Sequence, residues 1–268
     1  MDNKSFTLDL DQLLATKFPG KKFPPFVMKF LKNFLHVDFV NGYLGQGREG
    51  VDFCNGVSDY LNIKIEVEGL ENIPADGTLY TFASNHPLGG VDGVTLAGII
   101  GTRYDGIKLM VNDFLMALPG LRPLCIPINK TGSQSRNLPV LIKEVYSSDK
   151  QVLVFPAGLC SRKIDGKIQD IPWTKTFIKQ SVETKRDIVP IRFFGENSKR
   201  FYRVAQLCKL LKTKFNFAMI FLPDELYRAQ GKTFRVVVGK PIPYATFDKS
   251  RTAVEWAQYV REEVYRLN

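Results

Sequence analysis

Apolar and polar residues alternate along 63–68, Ile-Lys-Ile-Glu-Val-Glu, the period of a strand with one covered face. Similar strand patterns recur at 78–84, 108–111, 124–128, 187–194 and 234–238. Residues 152–155 form a short, wholly apolar run, which predicts a strand covered on both faces. Helical stretches fall between the strands, at 91–101, 135–147 and 174–184, with a last one at 249–267. Strands alternating with helices predict an α/β domain over 61–268, a mixed β-sheet flanked by helices.

Residues 1–60 read differently. Phe26, Val27, Phe30, Leu31, Phe34 and Leu35 recur at helical spacing after Pro24-Pro25, while Lys29, Lys32 and Asn33 fall on the opposite arc. The prolines suit a helix start. Such a basic, Phe-rich helix either lies in a membrane interface or packs its Phe face onto the core. The expectation is an N-terminal helical segment, 1–60, that associates with a membrane surface.

Composition narrows the partners. Apolar residues are 44% of 268, enough for a real core, which excludes a disordered chain. The net charge of +10 favours an anionic partner. No paired zinc ligands or RNA-binding strand signature appear, so anionic membrane lipids are expected rather than nucleic acid. The stretch 197–223 holds Lys199, Arg200, Arg203, Lys209, Lys212 and Lys214 without a carboxylate. It reads as a solvated helix face or as a dock for anionic headgroups. No run nears the roughly 20 apolar residues of a spanning helix, and the first residues lack a secretory signal, so the expected membrane contact is peripheral. The four cysteines are scattered, which suits neither a disulfide framework nor a zinc site, and no metal is expected.

The sharpest chemical signal is Ser84-Asn-His-Pro-Leu-Gly-Gly-Val-Asp-Gly93, at the end of a strand and the start of a helix. Strand ends are where α/β folds place ligands. A Gly-Gly turn lets His86 and Asp92 fold back on each other. The carboxylate then fixes the imidazole tautomer and leaves the other ring nitrogen as a base, suited to deprotonating an alcohol. The plainer alternative is a turn in which Asp92 caps the helix.

The sequence resembles the glycerophospholipid acyltransferase superfamily, which includes the 1-acylglycerol-3-phosphate acyltransferases. That family carries Asn-His-x4-Asp, a second motif ending in a basic residue, Phe-Pro-Glu-Gly-Thr-Arg-Ser, and a late Val-Pro-Ile/Val. Asn85-His86 with Asp92 resembles the first, and Leu124-Cys-Ile-Pro-Ile-Asn-Lys130 the second. Phe155-Pro156-Ala157-Gly158-Leu159-Cys160-Ser161-Arg162 resembles the third, and Val189-Pro190-Ile191 the fourth. A family lysine falls on Lys175. The motifs keep their order and spacing across about residues 60–240.

Two departures stand out. Five residues rather than four separate His86 from Asp92, an excess that Gly89-Gly90 can absorb through a positive φ. Ala157 and Cys160 stand where the family has Glu and Arg. The His-Pro-Leu-Gly-Gly turn resembles a bacterial, haemolysin-like branch. The family's Glu and Arg help to hold the polar acceptor, and their loss brings lyso-aminolipids such as ornithine or glycine lipids beside lysophosphatidic acid as acceptors.

The resemblance implies a membrane-surface O-acyltransferase, peripheral on the cytoplasmic face of the inner membrane. It takes the acyl group from acyl carrier protein or coenzyme A and needs no further cofactor. His86 is the implied base and Asp92 its orienting partner. Asn85, Lys130, Phe155, Pro156, Gly158, Ser161, Arg162 and Lys175 are the implied substrate-binding residues, the three cations holding phosphate or carboxylate. Amides near Gly90 to Asp92, or near Gly158, would stabilise the oxyanion. Two other classes remain. A serine hydrolase would use Ser84 or Ser161, although no Gly-x-Ser-x-Gly elbow is present. A non-catalytic membrane-binding protein would keep only the scaffold.

Overall fold

The computed structural model describes residues 6–17, 20–111, 118–127, 134–213 and 217–268. In chain order the helices are α1 (Leu10–Lys17), α2 (Pro25–Phe34), α3 (Val37–Leu44), α4 (Gly50–Tyr60), α5 (Val91–Arg103), α6 (Gln134–Tyr146), α7 (Thr176–Glu183), α8 (Lys199–Leu210), α9 (Leu222–Tyr227) and α10 (Ala253–Arg266). The strands are β1 (Lys64–Glu68), β2 (Tyr80–Ser84), β3 (Ile107–Val111), β4 (Cys125–Pro127), β5 (Gln151–Val154), β6 (Arg162–Ile164), β7 (Lys167–Gln169), β8 (Asp187–Phe194) and β9 (Thr233–Val238).

Seven strands form one sheet in the order β1-β9-β8-β2-β5-β3-β4. From β8 to β4 every neighbour is parallel. Strand β9 runs antiparallel to β8 and carries β1 parallel to itself, so the sheet is mixed, as the pattern predicts. The apolar runs lie in the middle: every residue of β2 and β5 is buried. Edge strand β1 alternates between exposed and half-buried.

Alternate side chains pack onto two helical layers. Phe82, Leu153 and Val189 join Tyr43, Phe53, Val57, Leu96 and Ile100 on one face. Ala83, Val152 and Ile188 join Phe177, Trp256 and Val260 on the other. Helices α3 and α4 therefore contribute to the main core. Helix α2 buries no residue, and Phe26 and Phe30 are 74% and 64% exposed, so its Phe face does not pack onto the core. Its far end is tethered. The Phe34 ring meets Phe221 edge-on at 5.3 Å, and His36 Nε2 bonds Asp224 Oδ1 at 3.0 Å. Among the described residues no helix is long and apolar enough to cross a membrane.

Pro190 sits inside β8 in register with Ala83 of β2. Proline has no amide to give a ladder. Here its position faces β9, where the Gly239 amide donates to its carbonyl and the β9 ladder has already ended at Val238. Asp165 and Gly166, with φ of 49° and 80°, close the β6–β7 hairpin. Both conformations are those of the tight turn that Asp-Gly favours.

Arg186 is 1% exposed. It donates to the carbonyls of Tyr146, Ser148, Lys150 and Tyr80, tying three chain segments together under the sheet. Arg186→Met would strand these acceptors and is expected to lower stability by about 3 kcal/mol, as read from urea unfolding.

Candidate active site

The parallel register ends at Ser84↔Ile191, where the chain leaves β2 for the loop that leads into α5. Asn85 fixes the exit. Its amide donates to the Phe193 carbonyl at 2.9 Å and accepts from the Phe193 amide at 2.7 Å. The side chain expected to bind substrate is thus a clamp between the loop and β8. Gly89 then adopts φ 81°, the positive value expected to absorb the extra residue. A Cβ there would also stand 2.4 Å from Cys160 Sγ. Helix α5 begins at once and brings Asp92, in its first turn, back over the loop.

His86 Nδ1 and Asp92 Oδ2 are 3.1 Å apart. The same carboxylate oxygen accepts the Leu88 amide at 2.9 Å, and Oδ1 accepts the Gly93 amide at 2.9 Å. Asp92 is fully buried and His86 is 16% exposed. Since the carboxylate only accepts, Nδ1 carries the proton and Nε2 is left as an acceptor. Among the described residues nothing hydrogen-bonds Nε2. The Phe155 ring stacks on the imidazole with centroids 4.2 Å apart.

Burial alone would push the His86 pKa down, but the Asp92 charge and hydrogen bond outweigh it and hold the pKa above 6.5. Burial likewise pushes Asp92 up. The His86 charge, its hydrogen bond and the Leu88 and Gly89 amides reverse this and keep Asp92 below the usual carboxylate range. The pair is ionised where the imidazole is protonated. A base must be neutral to act, so kcat/KM is expected to rise with pH and to level off above a midpoint higher than 6.5. A pH–rate profile checks the sign.

A third carboxylate supports the loop from behind, and no sequence pattern marks it. Asp170 is fully buried. Its Oδ1 accepts the Ser161 hydroxyl at 2.6 Å and the His86 amide at 3.3 Å, while Oδ2 accepts Trp173 Nε1 at 2.9 Å. The Ser161 amide in turn donates to the His86 carbonyl at 2.7 Å. Ser161 and Asp170 therefore hold both sides of the His86 backbone. Burial raises the Asp170 pKa despite these donors.

The other expected residues are placed as follows. Phe155, Pro156, Ala157 and Gly158 form a turn closed by the Gly158 amide on the Phe155 carbonyl, so that amide is already engaged. The Pro156 carbonyl accepts both the amide and the hydroxyl of Thr174, which places exposed Lys175 beside the turn. Arg162 is half-buried, lies over the Phe201 ring at 5.4 Å and donates to the Cys160 and Ser161 carbonyls. Its charge is among those His86 senses. Lys130 lies outside the described residues. Ala157 and Cys160 are buried within apolar clusters. The Ser84 hydroxyl is buried and donates to the Asn85 carbonyl. Among the described residues neither proposed nucleophile hydroxyl bonds the His86 imidazole: that of Ser84 donates to Asn85 and that of Ser161 to Asp170. Among the described residues no His, Cys, Asp or Glu cluster could hold a metal ion.

Comparison with known proteins gives a consistent picture. A family model described as Acyltransferase matches residues 12–268. A protein of Bacteroides thetaiotaomicron described as a lyso-glycine lipid O-acyltransferase is 50% identical over 271 residues, covering 99% of this chain and 99% of its own. A protein of Phocaeicola vulgatus with the same description is 49% identical over 272 residues, covering 99% and 97%. Among solved structures, the 1-acyl-sn-glycerophosphate (LPA) acyltransferase PlsC of Thermotoga maritima shares the fold. Its TM-score is 0.53 at 18% identity, over 95% of this chain and 90% of that one.

Proposed function

Given that the chain belongs to the acyltransferase family, we propose that it moves a fatty acyl group from a thioester to the hydroxyl of a lysolipid at a membrane surface. The observation that carries the mechanism is an imidazole with Nδ1 held by a buried carboxylate and Nε2 without a hydrogen bond among the described residues. Nε2 removes the hydroxyl proton as the acceptor oxygen attacks the thioester carbonyl. Asp92 stabilises the imidazolium that forms. The first amides of α5, at the positive end of the helix, stabilise the tetrahedral oxyanion. Collapse expels the thiolate, which takes the proton back from His86. The donor is a thioester of acyl carrier protein or of coenzyme A.

The acceptor we favour is a lyso-aminolipid bearing a carboxylate, of the lyso-glycine lipid kind on which both curated relatives are described as acting. Ala157 and Cys160 support this reading. Where the wider family places polar side chains for a phosphate, this chain has buried apolar ones. A carboxylate with a single charge needs fewer partners than a phosphate, and Arg162, Lys175 and Lys130 remain as candidate cations. Helix α2, with its exposed Phe26 and Phe30, is the peripheral contact with anionic lipid, and the cytoplasmic face of the inner membrane is the proposed location.

The test supplies anionic liposomes, acyl carrier protein charged with labelled palmitate, and lyso-glycine lipid or lysophosphatidic acid in separate reactions. Label on the lyso-glycine lipid is the expected result. Label on lysophosphatidic acid alone would overturn the acceptor assignment. Free palmitate in place of acylated lipid would overturn transfer in favour of hydrolysis.

A further inference from the structure

Resting on the membrane-surface reading, we infer that the exposed end of α8 is a second docking element for an anionic lipid surface, separate in sequence from α2. Helix α8 has two unlike faces. Phe201, Tyr202 and Ala205 are buried with Cys160 and Ala218. On the other side Arg203, Leu207 and Leu210 follow one another at helical spacing, and Leu211 caps the helix. Leu207, Leu210 and Leu211 are 52%, 78% and 63% exposed, and none belongs to a described apolar cluster.

Charge selects the partner. Lys199 and Arg203 are exposed on the same arc of α8 as these leucines, Lys209 and Lys212 are exposed near its end, and no carboxylate occurs from 197 to 223. Leucines set among long basic side chains suit a bilayer interface. The stems follow the apolar surface and the ammonium groups reach anionic headgroups. A protein partner with an apolar patch would match the leucines but leave these cations unanswered.

The position gives the surface a use. The root of α8 is fastened to the catalytic loop: Asn197 donates to the Pro87 carbonyl at 3.2 Å, and a Cβ on Gly89 would meet Leu222 at 3.1 Å. From there the helix spans about 18 Å to its tip at 1.5 Å per residue. Arg200 lies over the rings of both Phe34 and Phe221, so α2 and the α8 region meet at one place. Two contacts with the bilayer, joined at that place, fix how the His86 loop faces the lipid; one contact would leave it free to swing.

The full chain is titrated with vesicles of phosphatidylglycerol and phosphatidylcholine, as wild type, as Leu210→Glu/Leu211→Glu and as Phe26→Glu/Phe30→Glu. The α8 pair is expected to weaken vesicle binding at least about tenfold, since each leucine loses interfacial burial and gains a repelled charge. Its turnover of a short-chain lysolipid dispersed below its aggregation point should match wild type. Leu210→Ser/Leu211→Ser repeats the test without new charge and should weaken binding less. Unchanged vesicle binding by the α8 pair, with binding lost in the α2 pair, overturns the second dock alone. Unchanged binding in both pairs overturns the surface reading as well. Loss of turnover on the dispersed substrate also overturns the inference, because the tip would then be acting through the fold of the loop. So does a wild-type dimer that the α8 pair dissolves, because the leucines would then be a subunit contact.

Discussion

His86→Ala is expected to lower kcat/KM for acyl transfer by about 10³-fold, inside the range that a positioned general base contributes. The loss should fall on the chemical step. The backbone that places residue 86 is held by Asp170 and Ser161 through its own amide and carbonyl, bonds that alanine keeps. The removed ring is partly exposed and covers only one side of Phe155, so the loop stays where it is. Initial rates at saturating thioester, with a thermal melt as a check on folding, separate loss of the base from loss of the fold. A rate within threefold of wild type would mean that another group takes the proton.

Asp92→Asn is expected to cost about as much, roughly 10²–10⁴-fold, by a different route. Asparagine keeps the shape and can still accept the Leu88 amide, but it removes the charge that fixes the proton on Nδ1. The imidazole is then free to carry its proton on Nε2, where it can no longer act as base. The sign of the accompanying shift follows from the causes at His86. With the Asp92 charge and hydrogen bond gone, burial is the largest influence left, and it lowers the pKa. The acidic limb of the pH–rate profile should therefore move to lower pH while the plateau drops. A lower plateau with an unmoved limb would mean that Asp92 positions the ring without setting its charge.

Much of this was readable along the chain. The strand at 187–194 coincides with β8 (Asp187–Phe194), and the helix expected at 91–101 with α5, because both are bounded by abrupt changes of pattern. The His86–Asp92 pairing could be anticipated because six positions and a glycine of positive φ are all that close it. Asp170 was illegible for the opposite reason. It meets Ser161 nine positions away and His86 eighty-four positions away, and neither separation leaves a local pattern. Asn85 shows the same limit. Motif position marks it as part of the site, while its partner, Phe193, comes 108 residues later and makes it a clamp. Charge counting found the basic stretch at 197–223 and read it as a helix face, but not which side is covered, since only the packing against Cys160 distinguishes the face that Phe201 and Tyr202 bury.

The reversed edge of the sheet sets an order of events during synthesis. Among the described residues strand β1 pairs only with β9, and Arg235, which clasps Glu68, follows it by 167 residues. At a translation rate of ~5–20 residues per second that interval lasts roughly ten to thirty seconds. The tethers of α2, Phe221 and Asp224, are made almost as late. For that time the ribosome displays the Phe-rich α2 segment without Phe221 and Asp224. If α2 meets lipid as proposed, the nascent chain reaches the membrane before its sheet has an edge.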